Sequence, residues 1–239
     1  MFWSMRYAQT SSIDGILERE SGFTLEDLLG EDDLLQECKS HNTKLLEFLC
    51  QPETISKLIV YITEMPTDDD TEDRRFKYPY VASEVLSCDL QAIRDVLLGD
   101  SREKMAELFA LLQQPPPINP VLAGYFGKVL MALQKADADA FQAYFAAAWA
   151  AAAAPEEAAA AAASEAGEEG EEAAAAAAAA ATAAAAVAAG FALPKLMPRL
   201  LLHIGSDAVL QTVTTLCVGE PAAAEPGQIT QFIARDMST

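Results

Sequence analysis

The chain has 239 residues and a formal net charge of −20, from 36 acidic and 16 basic side chains. That much negative charge repels a phosphate backbone and an anionic bilayer, so no nucleic-acid partner and no membrane partner are expected; a basic or mixed-charge protein fits better. The apolar fraction of 51% overstates the core, because 30 of the 45 residues from Ala146 to Gly190 are alanine, which buries little area, and packing must come chiefly from Ile13 to Trp149.

In chain order, the opening MFWSMRY spends Phe2, Trp3, Met5 and Tyr7 near a terminus, which predicts a plug docked on the first helices. It lacks the charged and apolar regions of a secretory signal. Ser12, Ile13, Ile16 and Leu17 begin a short helix that ends near Gly22. Thr24 to Thr63 reads as three amphipathic helices. Their stripes are Leu25, Leu28 and Leu29; then Leu34, Leu35, Cys38, Asn42, Leu45, Leu46 and Leu49; then Ile55, Leu58, Ile59 and Ile62. Thr24 caps the first with Asp27 three residues on, Gly30 stops it, and Pro52 suits a first helical turn.

Pro66 closes this stretch, and Asp68, Asp69, Asp70, Glu72 and Asp73 form a solvated acidic loop. The loop lacks the hinge glycine and distal glutamate of a calcium-binding EF-hand. A helix then starts at Tyr78-Pro79 with Val81, Ala82, Val85 and Leu86 on its inner face. Leu90, Ile93, Val96 and Leu97 line the next, which Gly99 stops, and Ser101 caps one with Met105, Leu108, Phe109 and Leu112 inward. After Pro115, Pro116 and Pro117, Asn119-Pro120 opens a helix that buries Leu122, Tyr125, Phe126, Val129, Leu130 and Leu133. Asp137 opens another with Phe141, Tyr144, Phe145 and Trp149. Beyond the Ala-rich tract, helices carry Leu196, Leu200, Leu201 and Ile204, then Val209, Leu210, Val213, Leu216 and Cys217, with Gly205 as the turn and Ser206 as the cap. The Ala runs are weakly hydrophobic and broken by Pro155 and glutamates, so they do not read as a membrane span.

Batches of helices without strand-like alternation predict an all-α fold, an irregular HEAT- or armadillo-like solenoid fragment, with a compact helical bundle as the structural alternative. Three parts are expected: residues 1–145 as the N-terminal helical repeats, 146–190 as an Ala/Glu-rich low-complexity insertion, and 191–239 as a continuation of the repeats. Cys38, Cys50, Cys88 and Cys217 form no CxxC pair and read as buried free thiols of a reducing compartment, cytoplasmic or nuclear.

Catalytic chemistry is hard to find. His41 and His203 are the two histidines, and no HExxH, GxSxG, P-loop or GxGxxG is present. No catalytic residue, cofactor or metal ligand is expected, and an enzyme working through clustered carboxylates is the least favoured reading. The residues best suited to a protein contact are Arg74, Arg75, Lys77, Tyr78 and Tyr80, in a loop and helix start rich in the side chains that interface hot spots favour. A second candidate is the turn at His203, Gly205 and Ser206.

The ordered stretches MFW, LERE, TLEDLLGEDDLLQECKSHNTKLLEFL, RRFKYPYVASEVLSCD, PPPINPVLAGYFGKVL and LLLHIGSDAV resemble the N-terminal part of the SAPS domain. That family comprises regulatory subunits of the serine/threonine protein phosphatase 6 catalytic subunit and of its yeast relative. The resemblance covers most of residues 1–145 and 193–218. It implies a non-catalytic helical scaffold that binds the phosphatase catalytic subunit, with further scaffold proteins as partners, and directs its substrate choice or location. The last apolar helix, at Ile229, Phe232 and Ile233, has no successor to cover it, and family members continue through more helices, so the chain is expected to be cut short. A truncated helical interaction module that does not bind the phosphatase is the alternative.

Overall fold

Short helices need their exposed first-turn N–H groups answered, and here side chains do it. In the computed structural model, which describes residues 11–99, 103–141, 143–144, 200, 202–203, 205–207 and 209–211, Ser11 accepts from the Ile13 amide at the start of α1 (Ser12–Leu17). Thr24 and Asp27 form a reciprocal capping box on α2 (Leu25–Leu29), with the Thr24 amide 2.8 Å from Asp27 Oδ2. Next come α3 (Leu34–Lys39), α4 (Thr43–Leu49) and α5 (Pro52–Thr63), the last with proline in its first turn as expected. A π-helical turn, Asp73–Lys77, runs directly into α6 (Tyr78–Leu86). Then follow α7 (Gln91–Leu97), α8 (Glu103–Phe109) with a 3₁₀ turn at Ala110–Gln113, and α9 (Pro120–Ala136), whose cap Asn119 accepts from the Val121 amide at 2.8 Å. Residues 138–141 and 143–144 are helical as well. The described residues contain no strand, as an all-α helical-repeat fragment requires.

Three local expectations are corrected. Thr24 to Thr63 holds four helices, not three. The stripe from Leu34 to Leu49 is cut at His41, which takes φ +56°, and Asn42 is a cap rather than a core residue. Its Oδ1 accepts from the Leu45 amide at 3.3 Å while its Nδ2 donates to Asp14 at 2.9 Å and Glu37 at 3.1 Å, tying α1, α3 and α4 together. Gly30 ends α2 at φ −72°, an ordinary right-handed value, so the stop does not depend on glycine's left-handed freedom. The segment Asp73–Lys77 is helical rather than loop, with the Tyr78 amide reaching back to the Asp73 carbonyl. Gly99 is required for a different reason: an added Cβ would lie 2.9 Å from the Asp95 carbonyl oxygen.

The core centres on α5 and α6. The former packs against α6, α8 and α9, and the latter against α2, α3 and α9. Leu28, Leu58, Ile62, Val85, Phe109 and Phe126 are sealed from solvent, each side chain contributing about 2 kcal/mol of burial. Phe109 and Phe126 meet edge-on at 5.5 Å. Cys38, Cys50 and Cys88 are free thiols, and Cys38 is fully enclosed; Cys217 lies outside the described residues. So do the expected aromatic plug, the Ser101 cap, Phe145, Trp149 and the Ala-rich tract. No helix of the described residues is long and apolar enough to cross a membrane.

Candidate partner-binding surface

Tyr61 anchors the region, because it is long enough to cross from α5 to two other elements. Its hydroxyl donates to Glu26 Oε1 of α2 at 2.6 Å, and its ring meets Tyr78 of α6 edge-on at 5.7 Å. The Arg74 guanidinium lies over the same ring, 4.5 Å from the centroid. Burial pushes the Tyr61 hydroxyl well above the usual tyrosine range, with the bond to Glu26 adding to it. Burial also tends to raise Glu26, but hydrogen bonds from Tyr61, its own backbone and Thr24, with the charge of Lys57, outweigh it and hold the carboxyl below its ordinary value.

The π-helical turn fixes the next side chains. Arg75 donates through Nη2 to Asp68 at 2.9 Å and through Nε to the Thr67 carbonyl at 3.4 Å. Lys77 reaches back to α2, donating to the Gly30 carbonyl and to Asp32 at 3.0 Å. Arg74 is half-buried; it makes no ion pair among the described residues, and its Nη1 is enclosed without an acceptor. Tyr78 is half-buried. Tyr80 is 52% exposed, one turn from Phe76, which is 69% exposed. Across from them on α9, Lys128 sits 5.7 Å from the Tyr80 ring centroid and pairs with Glu84 of α6. Val121, 58% exposed, and the half-buried Tyr125 stand one turn apart on α9. Phe76 was not singled out by its sequence; its i, i+4 spacing from Tyr80 is the signal that marks it.

The second sequence candidate lies elsewhere. His203 is buried, and its Nε2 donates to the Leu112 carbonyl at the 3₁₀ turn, 3.2 Å away, while Nδ1 has no partner among the described residues. Gly205 is exposed and Ser206 half-buried, and the Ser206 amide closes a turn onto the His203 carbonyl at 3.0 Å. No hydrogen bond or ion pair among the described residues joins this turn to the Arg74–Tyr80 ridge. Nor is any group of three His, Cys, Asp or Glu side chains placed to hold a metal among those residues. The acidic run is a turn in which Asp70 accepts from the Thr67 amide at 2.6 Å and hydroxyl at 2.9 Å.

Over somewhat more than half its length the chain is similar to several proteins named as phosphatase 6 regulatory subunits and to one named as a kinetochore suppressor. It is 44% identical over 130 residues to serine/threonine-protein phosphatase 6 regulatory subunit 2 of Mus musculus, covering 54% of this chain and 14% of that one. To regulatory subunit 3-A of Xenopus laevis it is 44% identical over 133 residues, 56% of this chain and 15% of the relative. Extragenic suppressor of kinetochore protein 1 of Schizosaccharomyces pombe is 40% identical over 141 residues, 54% of this chain and 17% of that protein. The chain therefore spans between 13 and 17% of the length of these and the other curated relatives it matches. No family model matches it, and no solved structure does. The resemblance of its motifs to the SAPS family of phosphatase 6 regulatory subunits is borne out by these relatives.

Proposed function

We propose that this chain is a non-catalytic helical scaffold that binds a phosphatase 6-type catalytic subunit and directs its substrate choice or location, in the cytoplasm or nucleus. The observation that carries the reading is the 44% identity over 130 residues to a protein named as a regulatory subunit of that phosphatase. The architecture supports it: a packed helical frame presents a ridge of Arg and Tyr side chains. The enclosed thiol of Cys38 suits a reducing compartment. The net charge of −20 favours a partner of basic or mixed charge. The stretches 146–190 and 191–239 are an insertion and a continuation of the repeats on this reading.

The test is calorimetric titration of the purified chain with purified phosphatase 6 catalytic subunit. One-to-one binding is expected, and the chain alone should release no phosphate from a phosphopeptide. Affinity weaker than about 100 µM would discard the reading. The second reading, a helical interaction module that does not hold the phosphatase, draws on the small share of the relatives' length that the chain spans.

A further inference from the structure

Arg74 is out of keeping with its surroundings. The other cations of the ridge have found carboxylates within the chain: Arg75 has Asp68 at 2.9 Å, Lys77 has Asp32 at 3.0 Å, and Lys128 has Glu84. Arg74 has none among the described residues, in a chain with 36 acidic side chains, and one of its guanidinium nitrogens is enclosed with no acceptor. The Tyr61 ring holds the guanidinium in place, so little side-chain freedom is left to lose in a contact made by its accessible nitrogens. Two positions on in the same π-helical turn is Phe76, the most exposed large apolar side chain among the described residues, and one turn beyond it Tyr80, which faces Lys128 and Tyr125 of α9. An exposed aromatic and an arginine without an ion pair in one short segment are the side chains that interface hot spots favour.

We propose that Arg74, Phe76 and Tyr80 form the contact for the phosphatase catalytic subunit, which meets them with an apolar pocket for Phe76 beside a carboxylate for Arg74. The occupant's chemistry follows from the charges: Arg74 is the ridge cation with no ion pair among the described residues, its charge shared only at longer range with Asp70, so it can still take a carboxylate from a partner, and the surrounding ion pairs leave the aromatic surface electrically quiet. This inference rests on the phosphatase reading above and adds the chemistry its partner must display.

The experiment measures the affinity of the full chain and its variants for purified phosphatase 6 catalytic subunit, with circular dichroism confirming that each variant is folded. Arg74→Gln and Phe76→Ala should each weaken binding about tenfold or more, and Tyr80→Ala several-fold. Phe76 touches solvent over most of its surface, so its variant tests the contact without disturbing the fold. Val60→Ala and Leu210→Ala, at exposed apolar positions off the ridge, should stay within about threefold of the parent. If the parent binds and both Arg74→Gln and Phe76→Ala bind equally well, the ridge assignment is wrong while the phosphatase reading stands. If the parent does not bind, the phosphatase reading fails and this inference with it. If Phe76→Ala instead converts a self-associated chain to monomer in sedimentation, the ridge meets a second copy and the proposal is overturned.

Discussion

At the scale of single residues, Glu26 is sensitive to acid. Its folded carboxyl titrates below the ordinary glutamate value, so the stability it adds is present above the unfolded value and is lost as the pH falls through the folded one. Protonation removes the charge that strengthens the acceptor Tyr61 uses at 2.6 Å, and Tyr61 in turn carries Arg74. Acid titration should therefore change tyrosine fluorescence below the usual carboxylate range, in parallel with weaker helix signal. Glu26→Gln, which cannot ionise, should flatten that step; an unaltered profile in the variant would place the acid-sensitive group elsewhere. Cys38 gives a converse case. Burial pushes its thiol up to about 12, with the nearby Cys88, Cys50 and Glu37 adding to the shift. Little thiolate exists there at neutral pH, so a thiol reagent should label Cys38 only as fast as the chain unfolds. Labelling of Cys38 in the native chain at the rate of a free peptide thiol would contradict the burial.

At the scale of elements, Asn42 separates two readings of one stretch. If it belonged to an apolar stripe, Asn42→Leu would be neutral or stabilising. As the cap of α4, bonded to Asp14 and Glu37 as well, it should cost about 1–2 kcal/mol in urea unfolding, and Asn42→Ser, which keeps an uncharged cap, should lose less than Asn42→Leu. The same residue shows what a sequence hides. Leu34, Cys38, Asn42, Leu45 and Leu49 keep helical spacing across the break, and nothing in a periodicity announces that a histidine will take φ +56°. Where the signal was chemical rather than periodic, the sequence was legible: the Thr24–Asp27 box, Pro52 and Asn119-Pro120 all sit where their side chains dictate. The ridge was half-legible in the same sense. Arg74, Arg75, Lys77 and Tyr80 announce themselves by composition, but which of them is free depends on Asp32, Asp68 and Tyr61, set by tertiary packing. Phe76 belongs to no apolar stripe, and that it is exposed rather than buried is set by the fold, which leaves its spacing from Tyr80 as the one mark in the sequence.

At the scale of the whole molecule, the turn at His203 decides how the chain closes. Its ring bonds to the Leu112 carbonyl across 91 positions of sequence, and Leu200 and Val209 on either side are sealed into the same core as α5 and α6. On the reading of 146–190 as an insertion, that stretch acts only as a tether, and the cost of closing a tether depends weakly on its composition. Replacing residues 146–190 by a Gly/Ser segment of equal length should then leave the calorimetric Tm within a degree or two, as expected when no packed face is lost. His203→Ala removes the bond, strands a buried carbonyl and opens a gap, which should lower stability by about 2 kcal/mol. The two variants act on different links, so their effects should add when combined. If the Gly/Ser exchange lowered Tm as much as His203→Ala does, the Ala-rich tract would be packing against the frame, and the division of the chain at 146 and 190 would have to be abandoned.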